Sequence, residues 1–365
     1  MAQLNDPGAT ITDPSAHLLT AHPVNFVAES GQWLALTPTG TLLVPGHPFV
    51  TYIDGIPISR WLTEADKSLP VSLRGNTDAR ASQLNRLDSL RLQLGADPRK
   101  PPRLTLTNEL ADRHYQFWLP LTAPGEQHTA DNKANRLSYL SAQAALLKVG
   151  DLDGLHGDML EHAMSLPALI VDIRSASGNA DVLISALLKR LPEKAMVPAL
   201  QARYRAWGQQ KAAQLQAQGF TPRPLASQSP ARHADGMSVL FQREFIPVGK
   251  NSSSAAPTSL ILLLGAQCRA DCAQLAYVAR SLPGVMVAGS TLSGDFSPRT
   301  HLHLPYSGLT LSVSTSLVYS ASGHLLTGQP IHPDILLSSS QPLDWAQLTA
   351  LLRRSQDGGL TAYAH

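Results

Sequence analysis

Two cysteines, Cys268 and Cys272, are the only thiols in the chain. They stand four residues apart, just after the apolar run Leu260–Leu264. The segment between, Arg269-Ala270-Asp271, reads as a turn opening a helix. At a helix start the backbone dipole lowers a thiol pKa, so either sulfur could serve as a nucleophile in acyl transfer. Free cysteines also simply pack as small apolar groups, which is the plainest reading. Their spacing permits a disulfide under oxidising conditions as well. A second chemistry would belong to His301 and His303, two apart on one face of an expected strand. They would need a third ligand from elsewhere to hold a metal. No carboxylate pair lies beside them, so no metal and no cofactor is assigned. Neither G-x-G-x-x-G nor a P-loop pattern is present, and nucleotide chemistry is not indicated.

The bulk numbers narrow the classes. The chain has 365 residues, 43% of them hydrophobic, enough to bury one large core or two unequal ones. Lys+Arg 29 against Asp+Glu 27 leaves a formal charge of +2, with no basic run interleaved with aromatics, so nucleic acid is not an expected partner. No apolar stretch approaches the roughly 20 residues that span a bilayer. Met1-Ala-Gln-Leu-Asn-Asp6 lacks the basic and apolar regions of a secretory signal. The expected compartment is the cytoplasm, or the periplasm or exterior if a signal has been removed. With two cysteines, a multi-disulfide framework and a thiolate-built zinc site are excluded.

Stepping along the chain, residues 1–25 read as an irregular N-terminal segment. From Phe26 to about Pro124 the texture is β-rich. Phe49 to Ile58 alternates around Asp54-Gly55, a hairpin signal. Leu84, Leu87, Leu90 and Leu94 predict one helix in this region, ended by Gly95. After about Asn135 strands alternate with helices. Helices are expected around Leu152–Ala163, at 179–191 and at Asp271–Arg280. Strands are expected at Ala168–Ile173, Leu260–Leu264 and Gly284–Ala288. Short, uniformly apolar strands interleaved with helices predict a layered α/β core. An Ala/Gln/Arg-rich helix is expected at about 196–218, then a Pro/Ser-rich loop at about 221–259. Asp344 and Gln347 resemble a capping box for a last helix carrying Leu348, Leu351 and Leu352.

Three stretches, in order, resemble the C-terminal processing (tail-specific) serine peptidase family. Val50-Thr-Tyr-Ile-Asp-Gly-Ile-Pro-Ile58, followed by Trp61, is similar to the strand and turn closing that family's PDZ-like module. Leu169-Ile-Val-Asp-Ile-Arg-Ser-Ala-Ser-Gly178 resembles its strand and glycine turn, with Ala176 and Asn179 departing from the pattern. Gly289-Ser-Thr-Leu-Ser-Gly294, Leu304-Pro-Tyr-Ser-Gly-Leu-Thr-Leu-Ser-Val-Ser314 and Ile331-His-Pro-Asp-Ile335 are similar to its longest conserved run. The resemblance covers roughly residues 30–365.

That resemblance implies a PDZ-like β-rich module at residues 26–130 and an α/β core at 131–365 with a crotonase/ClpP-like spiral. It implies hydrolysis or binding of extended polypeptide segments or protein C-termini. It also implies that the turn at Ser177 and Gly178 donates backbone N–H groups to an oxyanion hole, with Asp271 beside the substrate. The family's serine falls on Ala270 and its acidic or amide residue on Ala273. The lysine of some members falls on Asp295. The histidine of others has its nearest counterpart in His17, two residues from its place at Ser15, with His22 and His47 also near. A methyl group neither attacks a carbonyl nor takes a proton. The expectation is therefore an inactivated variant or a pseudoenzyme. Two alternatives accompany it: a non-catalytic peptide- or partner-binding protein using the peptidase groove, and a thiol-dependent hydrolase using Cys268 or Cys272.

Overall fold

The computed structural model describes residues 6, 9–12, 22–38, 40–69, 71–97, 100–121, 134–155, 157–191, 195–204, 209–223, 239–247, 259–266, 268–297, 299–337, 343 and 345–357. The chain divides into two compact units. One holds Met1–Thr129, His301–Ser312 and Ser338–Pro342, and the other holds the remainder.

The first unit is built on an antiparallel sheet. Its strands run in the order Asn25–Glu29, Gln32–Leu36, Phe49–Ile53, Arg103–Thr107, His114–Trp118, and Ile56–Pro57 pairs back onto Phe49–Ile53. The expected hairpin is present. Asp54 (φ 51°) and Gly55 (φ 78°) both take the left-handed region that a tight two-residue turn requires. Asp54 is also a fastener, because its carboxylate accepts from the Arg103 N–H at 2.8 Å and from Arg91 Nε at 2.8 Å. Phe26, Trp33, Ile53, Trp61, Leu84, Leu87, Leu90, Leu104 and Leu106 fill the core under the sheet.

Three helices accompany this sheet where one was expected: Ile58–Ser68, Thr77–Leu84 and Leu87–Gln93. The leucine repeat therefore belongs to two helices, not one. They part at Asn85 and Arg86, and the Asn85 side chain accepts the Phe26 N–H at 2.8 Å, which ties the break to the sheet. The N-terminal segment is also not wholly irregular, since Thr10–Thr12 pairs antiparallel with Thr310–Ser312.

The second unit holds the layered core. Its main sheet runs Ile335–Leu336, Val285–Gly289, Ser259–Leu264, Ala168–Asp172, Ala144–Lys148, Arg136–Ser141. All neighbours are parallel except the last pair. Side chains alternate between the two faces of a strand. Leu169, Val171, Leu260, Leu262 and Leu264 face helices Gly157–Met164, Asp181–Lys189 and Asp271–Arg280. Ile170, Ile261 and Leu263 face the other way, against Leu348, Leu351 and Leu352 of helix Trp345–Asp357. Coverage on both faces is why these strands read as unbroken apolar runs. Asp344 lies outside the described residues, so its expected capping role is not described.

A second sheet runs Thr221–Arg223, Val239–Arg243, Leu200–Tyr204, Leu317–Ser320. It corrects two expectations. The helix at 196–218 is instead a strand, Leu200–Tyr204, followed by a shorter helix, Gln209–Ala217. The stretch 221–259 is not all loop, because it contributes two strands of this sheet. Residues 224–238 and 248–258 of that stretch lie outside the described residues.

Candidate functional site

The candidate site lies in the second unit, where three parallel strands end. Chains leaving the carboxyl ends of parallel strands are free of the sheet's hydrogen-bond ladder, and ligands bind there in open α/β sheets. Ala168–Asp172 runs into the turn at 173–180. Ser259–Leu264 runs through Gly265 into helix Asp271–Arg280, and Val285–Gly289 runs into the segment at 290–297. Glycine lets these backbones close up. A Cβ on Gly265 would lie 2.3 Å from the Arg174 carbonyl oxygen, and one on Gly289 would lie 2.0 Å from that of Leu264.

Ala270 stands at the N-cap of helix Asp271–Arg280 with φ 49° and ψ −114°. A residue bearing a Cβ rarely adopts this conformation, which costs on the order of 1–3 kcal/mol and persists only where surroundings impose it. Here the Ala270 N–H donates to the Asp295 carbonyl at 2.6 Å, and the Ala270 carbonyl accepts the Gln274 N–H at 3.1 Å. The strained position is the elbow between strand Ser259–Leu264 and helix Asp271–Arg280, and the side chain it carries is a methyl group.

The cysteines on either side are joined, Cys268 to Cys272. Cys268 does lie in the apolar core with Cys272 packed against it, but not as a free thiol, and the thiol-nucleophile reading is corrected: among the described residues there is no free cysteine. A disulfide sulfur has no thiolate with which to attack.

Asp271, the first helical residue, carries a carboxyl oxygen that is buried without a hydrogen-bond partner among the described residues. Burial pushes its pKa up to about 6, and the neighbouring charges of Asp181 and Asp153 add to the rise while Arg243 opposes it. Arg243, buried at the end of strand Val239–Arg243, donates to Gln274 Oε1 at 2.6 Å and to the Asp181 carboxylate. Gln274, fully buried, donates in turn to the Phe296 carbonyl at 3.4 Å. The position on which the resembled family's acidic or amide residue falls holds Ala273, and the buried amide is that of its neighbour. Ala273 is part of the apolar core, and Gln274 supplies the polar group.

The turn after Ala168–Asp172 begins with a local clamp. Asp172 accepts from the Arg174 N–H, from Nε at 2.9 Å and from Nη2 at 2.8 Å. Its expected oxyanion donors are only partly open. The Ser177 N–H donates to the Gly150 carbonyl at 3.1 Å, which corrects its assignment as a donor to substrate. The Asn179 N–H donates to Asp153 Oδ1 at 2.9 Å. The N–H of Gly178 (φ 99°) meets no acceptor among the described residues. Asp153 closes over this position, since a Cβ on Gly178 would lie 2.8 Å from its Oδ2.

Asp295, at the place expected of a lysine base, is buried, and Arg299 Nη2 donates to its carboxylate at 2.7 Å. Its backbone carbonyl accepts the Ala270 N–H. His17 lies outside the described residues. His22 and His47 belong to the first unit. There His22 Nε2 pairs with Asp88 at 2.8 Å, and the His47 ring lies 5.7 Å from that of Tyr115. His301 and His303 are exposed on their strand, and His303 meets Thr310 Oγ1 at 2.9 Å. Among the described residues no group of three or more His, Cys, Asp or Glu side chains is arranged to hold a metal ion. No described helix is long and apolar enough to cross a membrane.

Asp153, Asp181, Arg243 and Gln274 escaped the sequence reading. Their only sequence signal is that charged and amide residues sit in otherwise apolar surroundings, and nothing in the sequence says that they meet.

No family model and no curated protein sequence matches the chain. Solved structures do match, and they define a mixed α/β fold with several sheets that this chain shares. A serine-to-alanine mutant of CPAF superposes with a TM-score of 0.65 at 12% identity, over 100% of this chain and 88% of that one. Mature CPAF gives 0.61 at 12% identity, over 98% and 87%. A photosystem II D1 C-terminal processing protease covers 96% and 83% at 13% identity, with a TM-score of 0.41, too low to argue from. At these identities the likeness is one of fold.

Proposed function

We propose that this chain is a C-terminal processing peptidase-type protein that binds extended polypeptide or protein C-termini at the elbow without serine-type hydrolysis. In this reading residues 26–130 form the PDZ-like module, and the doubly covered sheet of the second unit is the crotonase-like core. The observation that carries it is Ala270, whose backbone holds φ 49° and ψ −114° at a helix N-cap with no nucleophile on it. Strain of that kind at a strand-to-helix turn is a mark of a functional position. The fold shared with CPAF supports a peptidase-type scaffold. Gly178 supplies one open N–H for a peptide carbonyl, and Asp271 supplies a buried carboxyl oxygen still to be satisfied.

The test pairs binding with turnover. A fluorescently labelled unstructured polypeptide should show saturable anisotropy with the full chain. It should yield no cleavage products, and a fluorophosphonate probe should leave the protein unlabelled. Labelling, or cleavage of the polypeptide, would overturn the non-hydrolytic reading.

A further inference from the structure

The disulfide does more than occupy two sulfurs. The bond between Cys268 and Cys272, four apart in sequence, closes a ring through Arg269, Ala270 and Asp271. That ring contains both the strained alanine and the unsatisfied carboxyl. Backbone hydrogen bonds also tie the elbow, among them Cys268 N–H to Gly265, Ala270 N–H to Asp295, Cys272 N–H to Arg269 and Gln274 N–H to Ala270. The two sulfurs also differ in setting. Cys268 is buried, whereas Cys272 is half-buried and is the second residue of its helix.

We propose that Cys268–Cys272 is an exchangeable disulfide for dithiol reductants, and that its redox state decides whether the backbone at Ala270 and Asp271 is held in the elbow. The incoming thiolate attacks the more accessible sulfur, that of Cys272, and the Cys268 thiolate leaves. The reductant's second thiol then attacks its own sulfur in the mixed disulfide and releases the Cys272 thiolate. The positive end of the helix dipole stabilises that anion. One protein disulfide and one dithiol become one protein dithiol and one oxidised reductant. Two electrons and two protons pass to the protein. Without the covalent ring, a backbone conformation disfavoured at a residue with a Cβ loses its covalent tie, and the elbow relaxes. Asp271 moves with it.

The experiment uses the full chain, oxidised and after dithiothreitol under native conditions, and needs no polypeptide, so it stands apart from the test of binding. Iodoacetamide and mass spectrometry count the thiols: none in the oxidised protein and both after reduction. Hydrogen exchange reads the backbone. On reduction the amides of Ala270, Cys272 and Gln274 should lose roughly tenfold or more of their protection, as a local opening does. The amides of Ser259–Leu264 should keep theirs. Cys268→Ser/Cys272→Ser should exchange like the reduced wild type. Two free thiols in the oxidised protein, a bond that resists the dithiol, or equal exchange at the elbow in both states would overturn the proposal. Loss of protection in Ser259–Leu264 as well would make the bond a global staple and also overturn it.

Discussion

The turn after Ala168–Asp172 and the turn after Ser259–Leu264 lie against each other at Gly265, and each keeps what the other lacks. The second holds the strained φ and ψ of Ala270 at a helix start and presents only a methyl group there. The first has one open donor at Gly178, while Gly150 and Asp153 have taken the N–H groups of Ser177 and Asn179. One turn thus carries backbone strain and a methyl group, and the other carries an exposed N–H beside the Asp153 carboxylate. In the proposed reading these two turns together receive an extended backbone.

The contrast can be broken at the contact itself. Gly265→Ala should cost most, about 3 kcal/mol by urea denaturation, because its new Cβ meets the Arg174 backbone at 2.3 Å, just beyond the ends of two paired core strands. Gly178→Ala should cost about 2 kcal/mol, mainly for its φ of 99°, since its new Cβ meets the Asp153 carboxylate at 2.8 Å and the Asp153 backbone no closer than 3.0 Å, against 2.3 Å to backbone at Gly265. Equal costs would remove the distinction between the tighter and the looser backbone contact.

Asp271 gives the contrast a pH dependence. Its folded pKa of about 6 lies above the ordinary value of 3.8, so the native state binds the proton more tightly than the unfolded chain does. Stability contributed by this group therefore falls as pH rises from about 4 to 6, and the deficit is complete above that. Asp271→Asn should flatten that part of the profile and be more stable above pH 6 by about 1–2 kcal/mol, the shift discounted for partial exposure. Parallel profiles for the two proteins would show that the carboxyl is not held in a costly place. The smallest effect should come from Ala270→Gly. Relief of the strained conformation outweighs glycine's entropy cost and should raise stability by about 1 kcal/mol.

How much of this could be read from the sequence depends on the distance over which each feature is determined. Helix Asp271–Arg280 and its flanking strands were legible, because uniformly apolar runs report burial on both faces of a sheet. The segment 196–218 was not. Its Ala, Gln and Arg residues favour helix, yet Leu200–Tyr204 pairs with Val239–Arg243 and Leu317–Ser320, partners remote in the chain that override local preference. The leucine spacing from Leu84 to Leu94 was read correctly as helical but not as two helices, because the break depends on Asn85 meeting Phe26. In the site, the vacancy at Ala270 was visible and its strain was not, since alanine carries no mark of an unusual φ. The meeting of Arg243 with Asp181 and Gln274, and of Asp153 with Asn179, is a product of the fold alone. The disulfide was one of three readings of a four-residue spacing, and only the geometry selected it.

Amide-resolved NMR during titration with an extended, unstructured peptide bears most directly on the groove. If peptide lies along these two turns, saturable shifts should cluster at Gly178, Asn179, Ala270 and Asp271, with the peptide recovered intact. Shifts confined to other parts of the chain, or recovery of cleaved peptide, would contradict a non-hydrolytic groove centred on Ala270.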